Sequence, residues 1–128
     1  MKAQAGVEFI AFVTLILIIA SVAVSVWWPL RNAGYERKIE SGAVTTLRTI
    51  VFQINTDQTV GDGYQGRFFL DQTLLGVDYN ISQEPHFVSI QWSKRTAILP
   101  TIPENVTGNF KIGDWNTVKN VNGVINVN

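Results

Sequence analysis

An apolar block over residues 9–28, with one carboxylate, Glu8, at its leading edge, limits this chain more than any other feature. A helix of about twenty apolar residues spans the hydrocarbon of a bilayer. Thr14, Ser21 and Ser25 are the only polar side chains in the block. Three readings compete for it. One is a plain transmembrane anchor. A second is a secretory signal peptide cut after Ser21-Val22-Ala23; against it, the block outruns the usual core of roughly 7–15 residues and continues through Trp27 and Trp28. The third is a leader cut ahead of the block, which then stays in the mature chain.

Composition narrows the remainder. The 128 residues amount to one domain's worth, and setting the block aside leaves enough for one small core. Each sign contributes 10 charged side chains, and Lys2 and Glu8 are the only ones ahead of Arg31, so the rest of the chain is balanced. No nucleic-acid partner is expected of so neutral a chain. Without cysteine there is no disulfide framework or thiolate metal site, and His86 is the single histidine.

The N-terminus reads Gln4-Ala5-Gly6-Val7-Glu8-Phe9. It resembles the class III signal peptides of archaeal type IV pilin-like proteins, in which Gln-x-Ser-x-Glu precedes a long apolar run; Gly6 stands where that pattern has serine. The resemblance implies that a prepilin peptidase cuts the Ala3–Gln4 bond and that Glu8 becomes the fifth mature residue. It implies register between subunits set by Gln4 and Glu8, the freed amine of one chain meeting the carboxylate of its neighbour. The alternative is that Glu8 snorkels at the membrane surface near a helix N-terminus, where an acid is favoured. Charge bias points against the pilin orientation: Arg31, Arg37 and Lys38 follow the block while Lys2 precedes it, which on counting alone places the C-terminal domain in the cytoplasm.

Within the block Ala11, Thr14, Ser21 and Ser25 form a stripe of small side chains that permits close helix packing. Trp27 and Trp28 suit an interfacial aromatic belt. Pro29 crowds the Ser25 carbonyl, so a kink or break is expected near residues 25–29. Helical periodicity then returns through Tyr35, Ile39, Ala43, Leu47, Ile50 and Ile54, ending near Asn55. Strands are expected over residues 67–70, 77–81, 87–92, 96–99, 116–121 and 124–127. Asn122-Gly123 makes a hairpin between the last two.

The expected fold is α+β: a long N-terminal apolar helix carrying a small antiparallel meander as its head. Its parts are a leader over 1–3, an apolar helix over 4–30, an amphipathic helix over 31–55 and a β-rich head over 56–128. The head's segments (Ile54-Asn55, Gly61-Asp62-Gly63-Tyr64 to Leu70, Gly76, Tyr79-Asn80-Ile81, Asn122-Gly123-Val124-Ile125) also resemble the β heads of archaeal pilin-like proteins.

Chemistry finds little purchase, and no enzyme, cofactor or metal is expected. His86 has no Gly-x-Ser-x-Gly elbow beside it. Asp57 and Asp62 lack calcium-loop spacing and read as turn residues. Trp92-Ser93-Lys94-Arg95 reads as a buried tryptophan beside a solvated hairpin tip. Asn80-Ile81-Ser82 and Asn105-Val106-Thr107 are sequons for N-glycosylation, Asn105 being the better placed. The resemblance implies a pilin that waits in the cytoplasmic membrane and is then assembled by pilus machinery with identical or related subunits. The product would be an extracellular filament for adhesion or surface attachment. A membrane-anchored, non-polymerising surface protein with a ligand-binding head is the alternative.

Overall fold

The computed structural model describes residues 2–128, with side chains from Gln4 onward. One long helix, α1 (Lys2–Val60), is followed by β1 (Gln65–Phe69), β2 (Tyr79–Glu84), β3 (Phe87–Trp92), β4 (Arg95–Pro100), β5 (Val106–Gly108), β6 (Trp115–Val121) and β7 (Val124–Val127). The chain divides into two compact units, the first ending at Arg37 and the second running from Lys38 to Asn128.

The described residues of the first unit are all helical. Its described side chains are all exposed, and Pro29 sits inside the helix without ending it, so the break considered for residues 25–29 does not occur. The helix contains a segment long and apolar enough to cross a membrane.

The second unit is built on the last turns of α1. Ile39, Ala43, Leu47, Ile50 and Ile54 are all buried, as their spacing predicts. Each large apolar side chain removed from water contributes about 1.5–3 kcal/mol. Tyr35, expected in the same stripe, falls in the first unit and is 48% exposed. The stripe shares one core with Phe68 of β1, Val88, Ile90 and Trp92 of β3, Val118 of β6, and Ile125 and Val127 of β7.

The layout is the expected α+β one, but the strands form two sheets rather than a single meander. One is the meander β2-β3-β4; the other has the order β1-β6-β7-β5. In the second sheet β1 pairs with β6, far along the chain, and β5 runs parallel to β7. Local patterning cannot foresee either pairing, and the three-residue β5 is too short to announce itself. Asn122 and Gly123 turn the β6–β7 hairpin with φ of 54° and 84°, the left-handed pair that a two-residue loop of this type requires.

The helix also passes its expected end at Asn55 and stops at Val60. Thr56 and Thr59, which look like loop chemistry, instead donate their hydroxyls to the Phe52 and Asn55 carbonyls, each at 2.7 Å. This back-bonding lets a hydroxyl residue sit in a helix.

Candidate functional site

The surface most in need of explanation is the helix of the first unit. From Phe9 to Leu30 its large apolar side chains are between 37% and 68% exposed. Solvated apolar area on this scale marks a contact with lipid or protein. Gln4 Nε2 donates to Glu8 Oε1 at 3.4 Å, a long bond one helical turn apart, which leaves the carboxylate exposed. The two residues expected to set register are therefore neighbours on one face. The expected leader over residues 1–3 includes Met1, which lies outside the described residues. The side chain of Ala3, on the leader side of the expected cut, is likewise undescribed.

Ala11, Thr14, Ser21 and Ser25 are all exposed. The Thr14 hydroxyl donates to the Ile10 carbonyl and that of Ser25 to the Ser21 carbonyl, both at 2.8 Å. Thr14 and Ser25 thus satisfy their hydroxyl donors within the helix, so neither offers an unpaired O–H to a partner helix or lipid tail. At the far end of the block the Arg31 guanidinium lies 5.5 Å from the centroid of the Trp27 ring. An aromatic ring with a cation at its face suits the polar boundary of a membrane.

In the head, the sequon residue Asn80 is exposed on β2, an edge strand, and Asn105 is exposed just ahead of β5. His86 occupies the β2–β3 turn at φ 67°, where its backbone accepts from Thr101 N and donates to Glu104 O. Trp92 is buried, and Arg95, at the start of β4, reaches back to Glu40 on α1 at 3.0 Å. Both partners of that ion pair are half exposed, so it contributes about 0–1 kcal/mol. Among the described residues no group of three His, Asp or Glu side chains could hold a metal.

Asp57 departs most from its expected role. It is no turn residue; it lies in the last turns of α1 with no exposed surface. Oδ1 accepts from Gln53 Nε2 at 3.1 Å, while Oδ2 is buried without a partner. Gly66 of β1 comes so close that a Cβ there would lie 1.5 Å from Gln53 Nε2 and 3.0 Å from Asp57 Oδ1. The Asp57 carbonyl meanwhile accepts from Asn120 Nδ2 of β6 at 3.0 Å. Asp62 does act as a turn residue, its Oδ1 accepting from Asn122 N at 2.7 Å. The inward phase of β6, in which Asn116, Val118 and Asn120 are buried while Trp115, Lys119 and Val121 are exposed, was the available signal that asparagines serve this core.

Burial pushes the Asp57 carboxyl above its ordinary pKa, and the bonds from Gln53 and the Gly66 backbone pull it partly back. The sign of the consequence is fixed. Below the pKa of the unfolded chain, Asp57 is protonated in both states and imposes no penalty. As pH rises through the higher native pKa, the folded state must hold an anion in a desolvated place, and stability is lost. Asp57→Asn removes that loss. The melting temperature of the variant minus that of the parent, measured in detergent across a pH series, should grow from the acid end of the carboxylate range towards neutrality. A difference independent of pH would show that Asp57 does not ionise at a cost.

No family model, curated protein or solved structure matches this chain.

Proposed function

We propose that the chain is a structural subunit that polymerises through its N-terminal apolar helix into an extracellular type IV pilus-like filament for adhesion or surface attachment. The observation that carries this reading is the exposure of the apolar helix on all its sides within a single chain. Such a surface is stable only in lipid or among like helices, and the proposal uses both in turn. Before assembly the helix lies in the cytoplasmic membrane. After a prepilin peptidase cuts at Ala3–Gln4 and the assembly machinery extracts it, it packs among identical or related helices. Burial is worth about 0.8 kcal/mol per methylene from water and less from lipid, so close packing along Ala11, Thr14, Ser21 and Ser25 has to supply the balance.

A second reading, a permanently anchored surface protein with a ligand-binding head, draws on the Trp27–Arg31 contact, which suits a helix that stays at a lipid boundary. The two readings separate in material sheared from cells. The polymer reading expects filaments in negative stain whose subunit begins at Gln4. Filaments that retain Met1 would overturn the assigned cut. Finding the chain only in detergent extracts of membranes, with no filament containing it, would overturn polymerisation.

A further inference from the structure

Strand alternation gives the sheet β1-β6-β7-β5 an outer face unlike the rest of the head. Phe69 and Trp115, opposite each other in the β1–β6 register, stand outward at 47% and 54% exposure. Their rings meet edge to face, centroids 5.6 Å apart at 63°, and the Arg67 guanidinium lies 5.3 Å from the Trp115 centroid. Farther along the same face Gln65 opposes Lys119, and Lys119 opposes Asn126 of β7, all three exposed. The four strands, QGRFF, WNTVKNV, VINV and VTG, contain no acidic residue. Asp114, just ahead of β6, accepts from the Trp115 amide at 2.7 Å.

Cross-strand pairing of two rings adds about 0.2–1 kcal/mol to a sheet. That accounts for the Phe69–Trp115 contact. It does not account for Lys119 and Gln65 sharing that face with the Arg67 guanidinium and with no acid among the strands, in a chain whose charges balance overall; the Asn126 amide is engaged within the sheet, accepting from Thr107 Oγ1 and donating to the Val124 carbonyl. A ligand complementary to this face must carry negative charge, offer an apolar surface to an aromatic ring and present a hydroxyl to the Gln65 amide. A polysaccharide of uronic-acid type meets all three conditions: the C–H face of a sugar ring lies on an aromatic ring, and its carboxylates pair with Arg67 and Lys119. Single-stranded nucleic acid is also anionic and also stacks. It fits less well, since two cations on a neutral chain give a weak phosphate-binding field and rings set at 63° cannot hold successive bases in parallel.

We propose that the outer face of this sheet binds acidic polysaccharide, with Trp115 and Phe69 as the stacking platform and Arg67 and Lys119 as the carboxylate partners. The face belongs wholly to the head, so the inference holds whether or not the chain polymerises.

The test uses the full chain in detergent micelles, with polygalacturonate, neutral dextran and oligo-dT as probes in affinity electrophoresis or interferometry. Polygalacturonate should bind, more weakly as salt rises, and more tightly than either dextran or oligo-dT. Arg67→Gln and Trp115→Ala should each weaken it at least tenfold with the head still folded. Lys94→Gln, a cation at the β3–β4 tip away from this face, should leave it unaltered. Failure of polygalacturonate to bind, or binding indifferent to Arg67→Gln and Trp115→Ala, would overturn the proposal. Tighter binding of oligo-dT would replace it with a nucleic-acid surface. Self-association abolished by Trp115→Ala would replace it with a contact between copies of the chain. The filament reading is tested separately, by the sheared material, and either can fail alone.

Discussion

Gly108→Ala is expected to open the β5–β7 pairing and lower the head's melting temperature by more than an ordinary loss of glycine would. Two costs coincide at this position. Gly108 has φ of 99°, in the left-handed half of the map, where a residue with a side chain is strained by about 1–3 kcal/mol. A Cβ there would also lie 1.7 Å from the Val127 carbonyl oxygen and 2.8 Å from its carbon. Those are backbone atoms of a paired strand, so no side-chain rotation relieves the clash. Either β5 must leave the sheet or β7 must shift against β6. Gly76→Ala separates the two costs, because Gly76 has φ of 85° with nothing within 4 Å of its would-be Cβ. In a domain of this size each kcal/mol moves the melting temperature by about 4–8 °C. Thermal unfolding by circular dichroism should therefore rank parent, Gly76→Ala and Gly108→Ala in falling order, the last well separated. Equal midpoints for the two variants would mean that the β5–β7 junction adds nothing to stability.

That junction also marks where the sequence stops being legible. Features written in local periodicity were readable: the apolar block, the buried positions of α1 from Ile39 to Ile54, the strand over residues 87–92 and the hairpin at Asn122-Gly123. The division into two sheets was not, because it depends on β1 finding β6 and on a three-residue strand aligning parallel to β7. Neither pairing leaves a periodic trace in a short segment. Asp57 misleads for a different reason. Asp in a run rich in Thr and Gln reads as a loop former, yet its neighbours in space, Gln53, Gly66 and Asn120, supply the partners that hold it in a helix end. Of the candidate site, the exposed helix was legible from composition. The aromatic and cationic face was not, since Phe69, Trp115, Arg67 and Lys119 gather only once β1 and β6 are side by side.

Glu8→Ala should cut filament yield by at least tenfold, with the chain accumulating in the membrane and its head still folded. An acid at the centre of a spanning helix costs about 2.5–3.5 kcal/mol on insertion scales, and less towards the interface. Within its own chain Glu8 receives the 3.4 Å bond from Gln4, too long to offset much of that cost. Under the polymer reading, the compensating partner is the amine exposed at Gln4 of the adjacent subunit. Breaking a buried pair by removing one member costs about 3–5 kcal/mol, because the other is left unpaired. At 1.4 kcal/mol per factor of ten, that is roughly two to three and a half orders of magnitude in the association of each subunit. The head should not register the change, since Glu8 lies in the first unit and the core begins at Ile39. Glu8→Gln refines the test by keeping size and hydrogen bonding while deleting the charge; it should also block assembly. Filaments of normal yield from Glu8→Gln would show that the carboxylate is not paired across subunits and serves only at the membrane surface.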